Sequence, residues 1–253
     1  MRIPVVIQAR MGSSRLPGKV LMLLDDRPVL RWVVDHASRI PGTDGAIVAT
    51  STERQDDAIA RYCRRHGIEV FRGSEADVLD RFVRCARERR ADAVVRLTAD
   101  CPLLDPTESG RVIHAYCNLP NCSYANNVSP QSVPAGFGTE VISMAALETS
   151  WREASDPADR EHVTPFVRRQ PERFISTCVT SSLSAPQYRL SLDTLADFTF
   201  LSAIVDRLRL RGCGHSVREV LDVVADPDLA VLRIASQDSA TREPPRVTRN
   251  YSH

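Results

Sequence analysis

The segment QARMGSSRLPGK at residues 8–19 concentrates the chemistry, because two glycines, a proline and paired serines carry Arg10, Arg15 and Lys19 in or beside one loop. Small residues let backbone N–H groups approach phosphate oxygens, and nearby cations offset the charge of a polyanion. A triphosphate is the natural guest. Neither common phosphate-loop pattern is present: Gly12 and Gly18 enclose five residues, Lys19 is followed by Val20, and no G-x-G-x-x-G occurs. A surface loop with solvated cations is the competing reading.

Two carboxylates follow apolar, strand-like runs: Asp100 in RLTADCP at 96–102 and Asp193 in LSLDTLADF at 190–198. Mg²⁺ typically takes one or two carboxylates together with phosphate oxygens and water, so both are metal candidates. Asp100 could equally cap the turn opened by Cys101-Pro102. Thr194 and Asp197 have capping-box spacing, which makes them structural and leaves Asp193 over. In FRGSEADVLDRF at 71–82 a Gly-Ser turn precedes a helix. It could touch a base, although acids such as Asp77 and Asp80 also complement a helix N-terminus. The cluster Arg160, Glu161, His162, Arg168 and Arg169 could grip an acidic substrate or form a solvated helix face.

These residues need a frame. Apolar runs at 3–9, 46–51, 68–71 and 93–98 read as strands, and helices are predicted at 28–40, 55–66 and 75–90. Such alternation implies right-handed crossovers and a mainly parallel, doubly wound α/β sheet with helices on both faces. In such a sheet, ligands bind outside the carboxyl ends of the strands. Beyond residue 105 the pattern predicts helices at 106–118, 144–154, 159–170, 195–211 and 216–224, and strands at 123–126, 139–143, 175–180 and 188–192. Residues 120–185 read as an insertion with an antiparallel excursion within a single domain over 1–235, and residues 236–253 read as a loose polar tail.

Composition narrows the classes. A chain of 253 residues with 43% hydrophobic residues can bury a large core, and 33 Lys+Arg against 32 Asp+Glu is too balanced for bulk nucleic-acid or membrane binding. No apolar run approaches the roughly 18–20 residues that span a bilayer. The seven cysteines are odd in number and lack a C-x-x-C pair, which fits reduced thiols in a cytoplasmic protein without zinc or disulfides.

Taken in order, VVIQARMGSSRLPGKVL, IVATSTERQDD, VFRGSEADVLDRF, VVRLTADCPLLDP and DREHVTPFVRR resemble the cytidylyltransferase family that includes the acylneuraminate and 3-deoxy-manno-octulosonate enzymes. The branch that looks nearest is the spore-coat-polysaccharide type, and the resemblance spans roughly residues 3–225. It implies a nucleotide-diphospho-sugar transferase fold, a Rossmann-like three-layer sandwich whose small insertion serves dimerisation. It also implies Mg²⁺ dependence, a homodimer, and transfer of CMP from CTP to a sugar or sugar acid.

Carried onto this chain, Arg10, Ser13 and Lys19 match triphosphate positions, with Arg15 a further nucleotide-binding candidate as a cation of the same loop, and the backbone of Ala9, Arg10, Met11 and Gly12 lies where the family approaches the nucleotide. Asp100 and Asp193 match the magnesium aspartates, and Arg10, Lys19 and Asp100 would carry catalysis. Gly73, Asp80 and Arg81 fall in the segment bordering the base, and Glu140, His162 and Arg168 in the region that meets the acceptor. After Asp193 many relatives continue Pro-Glu-Asp, where this chain has Thr194-Leu195-Ala196-Asp197. A nucleotidyltransferase for phosphonates or alditol phosphates, a glycosyltransferase, and a non-catalytic nucleotide-sugar-binding protein are the alternative readings.

Overall fold

Strand β1 (Val5–Gln8) is buried on both faces, as its continuous run of apolar residues requires at the centre of a parallel sheet. The computed structural model describes residues 1–241. A β2–β3 hairpin (Leu23–Leu24, Arg27–Pro28) follows the first loop, and its two turn residues, Asp25 and Asp26, both take positive φ, as a tight hairpin turn demands. Helix α1 (Val29–Ala37) then leads to β4 (Ala46–Ser51), α2 (Asp57–Arg65), β5 (Glu69–Gly73), α3 (Val78–Glu88) and β6 (Ala93–Thr98). The second half contains α4 (Pro106–Asn118), β7 (Tyr124–Asn126), β8 (Glu140–Ser143), α5 (Met144–Glu153), α6 (Pro157–His162), α7 (Pro165–Arg168) and β9 (Ser176–Cys178). Helices α8 (Leu195–Arg211), α9 (Val217–Val224) and α10 (Ala230–Thr241) complete it.

The sheet order is β5-β4-β1-β6-β8-β7-β9. Pairing is parallel from β5 through β6, β8 runs antiparallel to both β6 and β7, and β9 is parallel to β7. Residues 120–185 therefore contribute the expected antiparallel excursion as an extension of the main sheet. Alternate residues of β1 feed different cores. Val5 and Ile7 pack with Val33, Ile59 and Val112 on one face, while Val6 packs with Leu79, Phe82 and Leu147 on the other. A third apolar cluster gathers α8 and α9 around Trp32, Leu103 and Leu192. Among the described residues, no helix is long and apolar enough to cross a membrane.

Three expectations are corrected. The single helix expected over 159–170 is two, α6 and α7, because Pro165 lacks an N–H and disfavours helical backbone before it. Between them the fully buried Val163 holds φ 71°, ψ −51°, and the Thr164 N–H donates to the His162 carbonyl in a γ-turn. Residues 188–192 form no strand but a single bridge among the described residues, Ala135 with Arg189. The loose tail expected from about 236 is helical through Thr241, where Ser236 is buried; residues 242–253 lie outside the described residues.

Candidate functional site

Strand order reverses direction between β1 and β6, because β4 and β5 lie to one side of β1 and β6 to the other. A crevice opens at the carboxyl ends of strands at such a switch point. The loop after β1 and the Asp100 turn after β6 form its two walls, around a cleft of about 290 Å³ lined by Arg10, Ser13, Arg15, Lys19, Asp100 and Asp193. His162 and Glu161 close one side.

The loop holds its own shape. The Met11 carbonyl accepts from the N–H groups of Ser13 and Gly18, and the Met11 N–H donates to the buried Asp56 carboxylate at 2.7 Å. Gly18 at φ 76° turns the chain into a single 3₁₀ turn, Lys19–Leu21, that aims Lys19 inward. The Lys19 ammonium donates to Asp100 Oδ2 at 2.6 Å, to Asp193 Oδ1 at 2.9 Å and to the Leu192 carbonyl at 2.6 Å. Burial alone would lower its pKa, but the two carboxylates outweigh burial and hold it above the ordinary lysine value.

Asp193 also meets Arg15 at 3.0 Å and Arg189 at 2.6 Å. Burial pushes its carboxyl up, and Lys19 leads the cations that prevail and hold it below the ordinary range. Asp100 and Asp193 thus converge on one cation, here an ammonium. That donor set fits a hard divalent ion completed by phosphate oxygens and water.

A second cavity of about 210 Å³ adjoins the first, sharing Arg96 and Thr98 with it, and is walled by the 128–138 loop, Cys101 and Glu140. Register places Arg96 opposite Glu140 across β6 and β8, and Arg96 Nη1 donates to Glu140 Oε2 at 2.5 Å. Glu140 also accepts from the Thr164 hydroxyl at 2.6 Å and from the Tyr124 hydroxyl. Burial raises its pKa, yet Arg96 and these donors together hold it below the usual value, so it is a paired carboxylate. Gly136 is required where this loop meets residues 188–192: at φ 109°, a Cβ there would lie 2.6 Å from the Leu190 carbonyl oxygen. Burial, and then the charge of Asp100, push the Cys101 thiol up, so this cavity-lining cysteine is held as the unreactive thiol.

The structure brings Arg10, Ser13, Arg15, Lys19, Asp100, Asp193 and His162 to the first cleft and Glu140 to the second. Arg168 is exposed on α7 and lines neither. Ala9 and Met11, expected where the nucleotide approaches the backbone, line neither cavity, and their N–H groups are already taken: Ala9 donates to the Ala49 carbonyl and Met11 to Asp56. Gly12 is exposed beside Gln55 and Glu75.

The base-bordering set is likewise corrected in part. Asp80 accepts from the Trp151 indole at 2.9 Å and ties α3 to α5. Arg81 is fully buried beneath Gly73, where a Cβ would lie 3.0 Å from Arg81 Cγ. Burial pushes Arg81 down to about 10, and its guanidinium holds the turn through the Ser74 carbonyl at 2.8 Å. It braces the segment from below.

This arrangement agrees with the family comparison, in which the cytidylyltransferase family model matches residues 4–206. The chain belongs to the cytidylyltransferase family. It is a nucleotidyltransferase. An uncharacterized protein of Methanocaldococcus jannaschii is 37% identical over 228 residues, covering 88% of this chain and 90% of that protein. The spore coat polysaccharide biosynthesis protein SpsF of Bacillus subtilis is 32% identical over 238 residues, covering 91% and 97%. A cytidylyltransferase structure from Leptospira borgpetersenii superposes with a TM-score of 0.84 at 27% identity, covering 90% of this chain and 96% of that one.

Three residues that shape the cleft of this cytidylyltransferase escaped sequence reasoning. Asp56, in the quoted ERQDD segment, fixes the loop after β1 and also accepts from the Ser51 hydroxyl at 2.5 Å. Arg96 sits inside an apolar strand and joins the two cavities. Arg189 reaches Asp193 from an extended segment whose sequence reads as an ordinary strand. Only Arg96 left a trace, as a lone cation within AVVRLT.

Proposed function

We propose that this cytidylyltransferase transfers CMP from CTP to a hydroxyl oxygen of a sugar or sugar acid, releasing pyrophosphate, with Mg²⁺ held between Asp100 and Asp193. The observation that carries the reading is the meeting of these two carboxylates at the Lys19 ammonium, 2.6 and 2.9 Å away, in a crevice also lined by Arg10 and Arg15. Polysaccharide biosynthesis in the name of SpsF supports a sugar acceptor.

When CTP enters, Lys19, Arg10 and Arg15 turn to the β- and γ-phosphates and Ser13 adds a hydroxyl, leaving Asp100 and Asp193 to the metal. The ion, when bound, neutralises phosphate charge that this crevice's cations do not cover. The bound geometry holds an acceptor oxygen in line with the α-phosphorus. A bond forms between them, the bridging P–O bond breaks with its electron pair leaving on pyrophosphate, and the acceptor proton is released. Positioning and charge neutralisation supply most of the rate in such transfers.

The second cavity, open to the first at Arg96 and Thr98, suits the acceptor, with the paired Glu140 and the 128–138 loop around it. His162 lines the first cleft and would approach the acceptor from there, and the Gly73 turn would border the base, as the family resemblance implies. The reading extends to a cytoplasmic homodimer, as the family resemblance implies, and the seven free cysteines fit a reducing compartment. The test is incubation with CTP, Mg²⁺ and a pool of sugars and sugar acids, followed by mass spectrometry. A CMP-linked product with stoichiometric pyrophosphate supports the reading; a product from UTP or on a phosphonate alone overturns the donor or acceptor assignment. Sedimentation at working concentration checks the dimer.

A further inference from the structure

The capping box of α8 does more than start a helix. Asp197 Oδ2 accepts from the N–H groups of Asp193 and Thr194 at 2.9 and 2.8 Å, which satisfies the cap. The same carboxylate accepts from Arg189 Nη2, and its other oxygen, Oδ1, accepts from the Ser236 hydroxyl at 2.6 Å. Neither extra bond is needed to cap α8. Asp197 and Ser236 are each 1% exposed, and the second nitrogen of the same Arg189 fork, Nη1, reaches Asp193 Oδ2 at 2.6 Å. A chain of polar contacts thus runs from α10 through Asp197 and Arg189 to Asp193. A second tie between α10 and this turn joins the Ser239 and Thr194 hydroxyls at 2.9 Å. The family match ends at residue 206, so both serines lie beyond it.

We propose that Ser236 on α10, together with Asp197 and Arg189, acts as a set of positioning residues that keep the Asp193 carboxylate oriented to hold a divalent cation. The proposal rests on reading Asp193 as a metal-holding carboxylate. Asp193 faces three cations, Lys19, Arg15 and Arg189. Lys19 and Arg15 line the cleft and can turn to phosphates, but Arg189 is held in place by its fork. An unshared guanidinium at that distance would neutralise Asp193 and compete with the ion. Asp197 takes up half of the fork and cancels that charge, leaving Arg189 to orient Asp193 without quenching it. Ser236 and the two backbone N–H groups fill the remaining acceptor positions of Asp197, which fixes the carboxylate that holds the Arg189 fork.

The experiment uses the full chain, Mn²⁺ as a paramagnetic probe and a non-cleavable CTP analogue, with free Mn²⁺ read by electron paramagnetic resonance and unfolding read separately. Removing a hydrogen-bond partner of a metal-holding group typically costs about 10–100-fold in metal affinity. Arg189→Lys, which keeps a cation but not the planar fork, alters the direct partner of Asp193 and is therefore expected to weaken Mn²⁺ binding about 10-fold. Ser236→Ala, which acts on Asp193 only through Asp197 and Arg189, is expected to weaken it by a smaller factor that Ser236→Thr restores. Ile234→Ala, on the exposed face of the same helix, is expected to bind as the parent does. Parental Mn²⁺ affinity in Ser236→Ala with only a lower Tm, or an equal loss in Ile234→Ala, overturns the proposal. Unchanged affinity in Asp193→Asn overturns the reading of Asp193 itself, whatever the other variants show.

Discussion

Lys19 donates to Asp100 at 2.6 Å across 81 residues of chain, so the loop after β1 and the carboxylate after β6 are tied together by one ion pair. The pair predicts two different phenotypes. On the proposed metal-holding role of Asp100, Asp100→Ala should drop CTP-dependent pyrophosphate release to background while circular dichroism stays near the parent. Lys19→Ala should lose at least about 100-fold in turnover, as removal of one charge-stabilising donor commonly does, and should weaken CTP binding as well. Steady-state pyrophosphate assays with calorimetric CTP titration distinguish the two.

Nucleotide selectivity is accessible without knowing the acceptor. At about 100 times its Kd, a ligand stabilises the fold by roughly 2.7 kcal/mol, worth about 5–10 °C in a chain of this size. CTP with Mg²⁺ should give the largest shift, and omission of Mg²⁺ should reduce it, because Asp100 and Asp193 then face the triphosphate uncompensated. Equal shifts with ATP or GTP would count against cytosine selectivity at the Gly73 turn.

Gly136→Ala should be damaging. The substitution places a Cβ at φ 109°, 2.6 Å from the Leu190 carbonyl oxygen, where backbone must move. Strain and overpacking together should cost about 2–4 kcal/mol, read by urea denaturation. Any folded fraction should lose acceptor affinity more than CTP affinity, because the displaced loop walls the second cavity.

Acid should destabilise the fold through His36. This imidazole is 1% exposed between Trp32 and His215, with no partner for Nδ1. Burial, helped by the charges of Arg39 and His215, lowers its pKa from 6.5 to about 4. The unfolded chain thus binds a proton that the folded chain refuses. Stability from this group is intact above about pH 6.5 and falls by about 3 kcal/mol as pH drops to 4. His36→Phe should flatten that slope in denaturation profiles collected between pH 7 and pH 4.

The parallel half of the fold was legible because its strands are short apolar runs rich in β-branched residues: the bounds expected for β4 and β6 coincide with those observed, as do those of helices α4 and α8. The first cleft was legible for a related reason, since both of its walls follow such strands directly. Helix α10 was not, because its inward stripe includes Leu232 and Ser236, and a buried serine gives no apolar signal. The break at Val163 was signalled by Pro165 but was hidden by the apolar period on either side. Arg189 could not be assigned from sequence, because its partners Asp193 and Asp197 are brought to it only by the turn into α8.

Strand β6 is shared property. Its parallel edge with β1 borders the first cleft, while its antiparallel edge with β8 borders the second cavity, and the two are walled by different loops that meet at Arg96 and Thr98. Substitutions in the 128–138 loop can therefore reshape the second chamber without touching Arg10, Lys19, Asp100 or Asp193. Under the proposed function, acceptor choice can then drift along that loop while the donor chemistry is inherited unchanged.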